Sequence, residues 1–250
     1  MTGSLFDLSG RTALVTGGAS GIGREIVQTL AAHNATVVSC DLTVLDEGWL
    51  PAARSHSIWG LHCDVADPDQ VTRLADRIPS QLRNIDILVN CAGVGGNNVP
   101  FGKLSLADWD RVMNVNLRGV FLVTREFHQG MIDRRWGRII NISSQLAYKG
   151  GPELAHYCAS KAGVVGFTRA LSLESAPHNV LVNTIAPGPV ETDLLFNHSQ
   201  DWLDRKKSEL PVGRFGTAPE IAATALLLAS DAGSFYSGQT LSPNGGDIPL

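Results

Sequence analysis

Short apolar runs alternate with longer amphipathic stretches along most of this chain, and their spacings fit strands and helices in turn. The runs are Thr12–Thr16 (TALVT), 36–40 (TVVSC), 58–63 (IWGLHC), 85–89 (IDILV), 138–144 (RIINISS), Val180–Ile185 (VLVNTI) and 238–243. Between the first two, Ile22, Ile26, Val27 and Leu30 share one side of a helical pattern that ends at Ala32. Residues 67–78 predict a second helix, stopped at Pro79. A longer helical pattern runs from Ser105 to about Arg134, with Trp109, Val112, Met113, Asn116, Val120, Val123 and Thr124 on its buried side. Further helices are expected from Tyr157 to Glu174 and over 219–230. This alternation predicts an α/β fold, a Rossmann-type doubly wound sheet of seven parallel strands with helices on both faces. No linker or repeat divides residues 1–250, so a single domain is expected.

Two stretches fall outside the periodic pattern. Residues 94–100 are rich in Gly and Asn and read as a loop over the carboxyl edge of the sheet. Residues 194–215 have no clean period, carry mixed charge and predict a substrate lid.

The first strand breaks into Gly17-Gly18-Ala19-Ser20-Gly21-Ile22-Gly23 before its helix. Strand, glycine-rich turn and helix together can receive a pyrophosphate, because glycine lets the backbone come close and the new helix offers free N–H groups. A tight turn without a ligand would look the same. Asp41 ends the second strand 24 residues after Gly17, where a carboxylate would meet adenosine ribose hydroxyls and repel a 2′-phosphate. No Arg or Lys stands at 18–20 or at Leu42 to hold such a phosphate, so NAD is expected over NADP.

Residues 141–161, NISSQLAYKGGPELAHYCASK, carry the densest chemistry. Tyr157 and Lys161 lie one helical turn apart, and an ammonium beside a phenol favours the phenolate. A Ser precedes them at a strand end. Asn116 is a polar amide in an apolar stripe. It either satisfies a neighbouring backbone group or marks a kinked turn that aims the amide at the site.

Composition narrows the partners. The net charge is −4 and no run of five basic residues occurs, which disfavours nucleic acid and anionic membranes. Cys40, Cys63, Cys91 and Cys158 form no metal-spaced cluster and read as reduced, buried thiols. Neither a signal sequence nor a membrane-length apolar stretch is present, so a cytoplasmic location is expected.

Over nearly its whole length the chain resembles the short-chain dehydrogenase/reductase family. The motifs that carry the resemblance are Thr16–Gly23 (TGGASGIG), Asp64-Val65, Asn90–Gly93 (NCAG in place of the usual NNAG), Asn116, Ser144, Tyr157-x-x-x-Lys161 and Pro187-Gly188. Tyr157 follows Ser144 by 13 residues, which selects Ser144 over Ser143. The resemblance implies that Tyr157 is the general acid/base, Lys161 lowers its pKa and holds the nicotinamide ribose, and Ser144 binds the substrate oxygen. Asn116 would hold a water linking Lys161 to solvent. It further implies Gly17, Ser20, Gly21, Ile22 and Gly23 at the phosphates, Asp41 and Leu42 at the ribose, and Asp64 and Val65 at the adenine. Asn90, Ala92 and Gly93 would follow the nucleoside, while Pro187, Gly188, Val190 and Thr192 would bracket the nicotinamide. The expected activity is NAD(H)-dependent interconversion of a secondary alcohol and a ketone by a homotetramer built on helices 105–134 and 157–174. A 3-oxoacyl-(acyl-carrier-protein) reductase is the rival, with Arg135 at one carrier-docking position but His178 at the other. A non-catalytic dinucleotide-binding protein is a third reading, which the intact Tyr157 and Lys161 disfavour.

Overall fold

The computed structural model describes residues 4–44, 48–49 and 58–249. Its sheet has strands β1 (Thr12–Thr16), β2 (Thr36–Asp41), β3 (Gly48–Trp49), β4 (Ile58–His62), β5 (Ile87–Asn90), β6 (Gly137–Ile142), β7 (Val180–Ile185) and β8 (Thr240–Leu241). They lie in the order β3-β4-β2-β1-β5-β6-β7-β8. Seven pair in parallel, and β3 adds an antiparallel edge to β4. Two residues are too few to register as a hydrophobic period, which is why β3 is absent from the sequence pattern.

Chain direction across the sheet reverses between β1 and β5, so a crevice opens at their carboxyl ends. Alternate residues of each strand feed opposite faces. Ala13 and Val15 pack with Ile26, Leu30, Ile221 and Ala225 from helices Gly21–Ala32 and Ala218–Ala229. Leu14 turns the other way, into a cluster with Leu122, Val123, Phe127 and Met131 of helix Gly119–Arg134. Burying a Leu, Ile or Val contributes about 1.5–3 kcal/mol, and every residue of β6 and β7 is buried. Such strands are held from both sides, as parallel strands require.

Element ends shift where side chains compete for backbone groups. The stretch expected as one helix over 67–78 is two, Pro68–Thr72 and Leu74–Arg77, with Arg73 at ψ −1° between them. Asp67 caps the first through the N–H groups of Asp69 and Gln70, and Val71, Leu74 and Ile78, spaced as on one helical face, all reach the core across the break. β8 is shorter than its run, since Gly238 enters it at φ 70° and Pro243 has no N–H to pair. β6 ends at Ile142, so Ser143 and Ser144 lie just past the strand.

Residues 194–215 fold into helices Asp193–Phe196 and Gln200–Glu209 around a small core of Leu195, Leu203, Leu210 and Phe215. His198 stacks on Trp202 at 4.0 Å. The absence of one clean period follows from two short helices that bury different faces.

A polar ladder crosses the second core. Asn90 Nδ2 donates to Thr124 Oγ1 at 2.9 Å and to Asn141 Oδ1 at 2.8 Å. Asn141 Nδ2 donates to Thr168 Oγ1 at 2.9 Å, and Thr184 bonds the same hydroxyl at 2.8 Å. Asn141→Ala should therefore leave Asn90 and Thr168 each short of a buried partner, at about 1–3 kcal/mol apiece. A fall in the urea midpoint with an unchanged m-value checks this.

Candidate active site

Three loops meet at the crevice. Ser20 starts helix Gly21–Ala32 in extended geometry without a side-chain cap, so the first-turn N–H groups of Gly21, Ile22 and Gly23 point into the turn. Gly17 has φ 67°, and a Cβ there would stand 2.8 Å from Ala92 Cα. A Cβ on Gly23 would overlap the Gly17 carbonyl. Thr16 Oγ1 ties the next loop in, accepting the N–H groups of Cys91 at 3.1 Å and Ala92 at 3.2 Å. Asp41 Oδ2 accepts the Ala19 N–H at 3.1 Å, while its Oδ1 takes the N–H and hydroxyl of Thr43, each at 2.9 Å. The carboxylate is thus aimed by the glycine turn itself.

The remaining expected residues fall on the same edge. The Cys63 N–H donates to the Asp41 carbonyl at 3.2 Å, which brings Asp64 and Val65 beside the end of β2. Val65 is buried, close enough that a Cβ on Gly119 would come within 3.0 Å of it. Leu42 is exposed at the tip. The Pro187 carbonyl accepts the Gln145 N–H at 3.0 Å, and Gly188 is held through its own N–H by Pro243. Val190 is buried, and Thr192 donates to its carbonyl at 3.3 Å while its methyl faces Gly21.

Tyr157 and Lys161 sit on helix Ala155–Ser175. Lys161 is buried, and its Nζ donates to the Ile142 carbonyl at 2.9 Å. In return Ser143 Oγ donates to the Lys161 carbonyl at 2.8 Å. That bond occupies Ser143 and leaves Ser144 as the serine whose hydroxyl acts on the Tyr157 phenol, pulling its pKa down. Ser144 Oγ also accepts the Leu146 N–H at 3.1 Å.

Asn116 satisfies a neighbouring backbone segment, and it does so from a distorted turn. Helix Leu106–Met113 passes through a π-turn, Asn114–Arg118, before continuing as Gly119–Arg134. The wider turn re-aims a side chain that a regular helix would send into the core. Asn116 is fully buried and clamps Val94 on both sides, accepting its N–H at 2.8 Å and donating to its carbonyl at 2.9 Å. The same amide donates to Ser160 Oγ at 3.2 Å. A Cβ on Gly93 would lie 3.3 Å from Asn116 Oδ1 and 3.4 Å from Lys161 Nζ, so Gly93 keeps the passage between them open.

Burial opposes the expected effect of Lys161 on Tyr157. Burial pushes the Tyr157 phenol above its usual value of 10.0, and the nearby Ser144 hydroxyl offsets only part of this. Lys161 Nζ lies 5.8 Å from the Tyr157 ring centroid, and burial pushes its own pKa down to about 8. Loss of water dominates for both groups, so each is shifted towards its neutral form.

Several contributing residues were not singled out from the sequence. Thr16, Ser143 and Ser160 act through the backbone and hydroxyl bonds given above, and each adjoins a flagged residue. His156, next to Tyr157, is fully buried with neither ring nitrogen hydrogen-bonded. A Cβ on Gly96 would overlap its ring, which explains a glycine there at φ 78°. Burial pushes the His156 pKa down, against Asp108.

A glycine cradle at a topological switch point, a carboxylate after the second strand and a Ser–Tyr–Lys group on the same edge define a dinucleotide-binding α/β protein with acid–base groups at its ligand crevice. The chain belongs to the short-chain dehydrogenase family, whose family model matches residues 11–202. It is 38% identical over 247 residues to the 3-oxoacyl-(acyl-carrier-protein) reductase of Aquifex aeolicus, covering 96% of this chain and 98% of that one. It is 42% identical over 241 residues to the acetoacetyl-CoA reductase of Allochromatium vinosum, covering 94% and 98%. A short-chain type dehydrogenase/reductase of Mycobacterium marinum superposes with a TM-score of 0.88 at 32% identity, covering 98% of both chains. A candidate NAD(P)-dependent gluconate 5-dehydrogenase of Beutenbergia cavernae, with NADP bound at low occupancy, also gives 0.88 at 34% identity, covering 98% and 99%. The chain is thus an oxidoreductase of this family, acting between CH–OH and keto groups. Among the described residues no helix is long and apolar enough to cross a membrane.

Two measurements probe this geometry. Gly23→Ala should weaken NAD and NADP binding at least tenfold by fluorescence titration while the circular dichroism spectrum is kept. Folding depresses the Lys161 pKa from 10.5 to about 8, so between those values the unfolded chain binds more protons. Stability from this group is therefore absent below pH 8 and rises to its full value by about pH 10.5. In urea titrations Lys161→Met should remove that rise.

Proposed function

We propose that this chain is an NAD(H)-dependent oxidoreductase that interconverts a secondary alcohol and a ketone. The observation that carries the reading is the grouping of Ser144 and Tyr157 beside the buried Lys161, one helical turn from Tyr157 and held by the Ile142 carbonyl. The bound nicotinamide supplies or takes up the hydride at its C4. Tyr157 protonates the carbonyl oxygen in reduction and removes the hydroxyl proton in oxidation. Ser144 donates to that oxygen, and Lys161 holds the ribose and carries charge beside the phenol. Asn116, through Val94 and Ser160, holds the wall of the passage that a water to Lys161 would use.

The residues of the cradle fit the dinucleotide. The N–H groups of Gly21, Ile22 and Gly23, with Gly17 and Ser20, receive the phosphates. Asp41 and Leu42 face the ribose, with Asp64 and Val65 at the adenine and Asn90, Ala92 and Gly93 along the nucleoside. Pro187, Gly188, Val190 and Thr192 frame the nicotinamide. Asp41 supports NAD, because its fixed carboxylate can accept ribose hydroxyls but repels a 2′-phosphate. Residues 194–215 close the substrate side, and Leu194 already reaches within 3.1 Å of where a Gly95 Cβ would stand. Exposed Phe121 and Leu173, on helices Gly119–Arg134 and Ala155–Ser175, support the homotetramer. A cytoplasmic location belongs to the same reading, supported by four free thiols.

A second reading, a 3-oxoacyl thioester reductase, is favoured by the two relatives that carry that kind of name. Arg135 and His178 are also neighbours here, since Arg135 Nη2 donates to the Pro177 carbonyl at 3.1 Å.

Tyr157→Phe should abolish turnover, by 10³-fold or more, while the Kd for NAD stays within about threefold. Retained turnover would remove the role. Initial rates with NADH should exceed those with NADPH, and Asp41→Ala should narrow the gap. Acetoacetyl-CoA reduced far faster than simple ketones would select the thioester reading.

A further inference from the structure

The side chain of Asp247, near the end of the sequence, is buried, with 4% of it exposed, although nothing in the motifs points to it. Its carboxylate receives three side chains from two separate parts of the chain. Gln145 Nε2 donates to Oδ2 at 2.5 Å, Lys149 Nζ to Oδ1 at 2.6 Å, and Lys206 Nζ to the same Oδ1 at 2.8 Å. Gln145 and Lys149 belong to the turn that directly follows Ser144, whereas Lys206 lies in helix Gln200–Glu209 of the 194–215 segment.

The carboxylate stands on fixed ground. Asn244 shapes the tail, accepting the Gly246 N–H at 2.9 Å and donating to the Ile248 carbonyl at 2.7 Å. The tail is anchored where Gly188 N–H meets the Pro243 carbonyl, and a Cβ on Gly188 would stand 2.7 Å from Asn244 Cα. Lid and tail also pack directly, since a Cβ on Gly245 would stand 2.7 Å from Val212 and one on Gly246 3.0 Å from Pro211. Val212 N–H donates to the Gly245 carbonyl at 3.3 Å, and a cavity of about 230 Å³ separates Leu210 and Val212 from Pro243 and Asn244. The bonds of Asp247 add a charge-assisted connection that also reaches the Ser144 turn.

We infer that Asp247 is a positioning residue that holds the 194–215 lid and the Ser144 turn in one fixed relation. An ionised carboxylate only accepts hydrogen bonds, so the Gln145 amide must turn its nitrogen towards it. Gln145 thereby loses its rotational freedom, and its N–H bond to Pro187 ties the same residue to the loop proposed for the nicotinamide. A lid displaced at Lys206 pulls on the carboxylate that orients the residue next to Ser144. The inference rests on reading 194–215 as a lid and Ser144 as the group at the substrate oxygen.

Hydrogen–deuterium exchange on the full chain saturated with NAD tests it without a known substrate. Asp247→Asn keeps the side chain's shape and removes its charge. Exchange should rise at least fivefold both in 200–209 and in 145–150, and Asp247→Glu should restore most of the protection. Exchange within twofold of wild type in either segment overturns the inference. With any ketone that is turned over, Asp247→Asn should raise KM at least fivefold and change kcat less than twofold. A loss confined to kcat overturns the positioning role. Lys206→Met and Gln145→Met should have less than additive effects on KM, because both act through one carboxylate. Additive effects contradict the coupling. A wild-type chain that turns over no alcohol or ketone defeats the proposed reaction, whereas the exchange result decides the clamp by itself.

Discussion

The site depends on a reciprocal pair of hydrogen bonds between the end of β6 and helix Ala155–Ser175. Lys161 Nζ donates to the Ile142 carbonyl, and Ser143 Oγ donates back to the Lys161 carbonyl. Each bond satisfies a group that the other would leave unpaired in a dry interior. Together they fix how far Tyr157 stands from Ser144 and bury the ammonium. The burial that sets this distance also strips water from both titrating groups, which is why the phenol is raised and the ammonium lowered. A charge kept beside a phenol costs stability here. A protein that needs only a folded sheet has no reason to hold it.

Around that pair, hydroxyls and amides aim backbone at the crevice edge from several strands. Thr16 carries the 90–93 loop, Asn116 carries Val94, and Asp41 steadies the glycine turn through Ala19. None of these bonds spans far in space, yet each joins segments distant in sequence. The ladder from Asn90 to Thr184 does the same deeper in the core, locking β5, β6 and β7 to two helices. Fixed loops on a buried parallel sheet are what orient reacting groups before ligand arrives.

Much of this was legible in the chain itself. Parallel strands buried on both faces leave continuous apolar runs, so β1, β2, β6 and β7 could be placed to within a residue or two. The order of glycine turn, Asp41, Ser144, Tyr157 and Lys161 placed the site on one edge, because successive parallel strands all end there. Less was readable where tertiary bonds decide. The two-residue β3 has no period, the break at Arg73 depends on which side chains reach the core, and the charge node at Asp247 joins residues about a hundred positions apart. His156 was hidden by its neighbour, since a lone histidine on a helix shows its burial only when the loop carrying Gly96 is laid against it. The pKa order was missed for a related reason: spacing gives proximity but not the loss of water.

Direct hydride transfer is the reaction this arrangement of residues serves, and isotope tracing measures it most directly. The protein would be given NADH deuterated at C4 and a ketone that it reduces, and the alcohol examined by proton and deuterium NMR. Deuterium on the carbinol carbon, delivered from one face of the NADH only, is the predicted result. Only protium on the carbinol carbon with each of the two C4-deuterated epimers of NADH would contradict it.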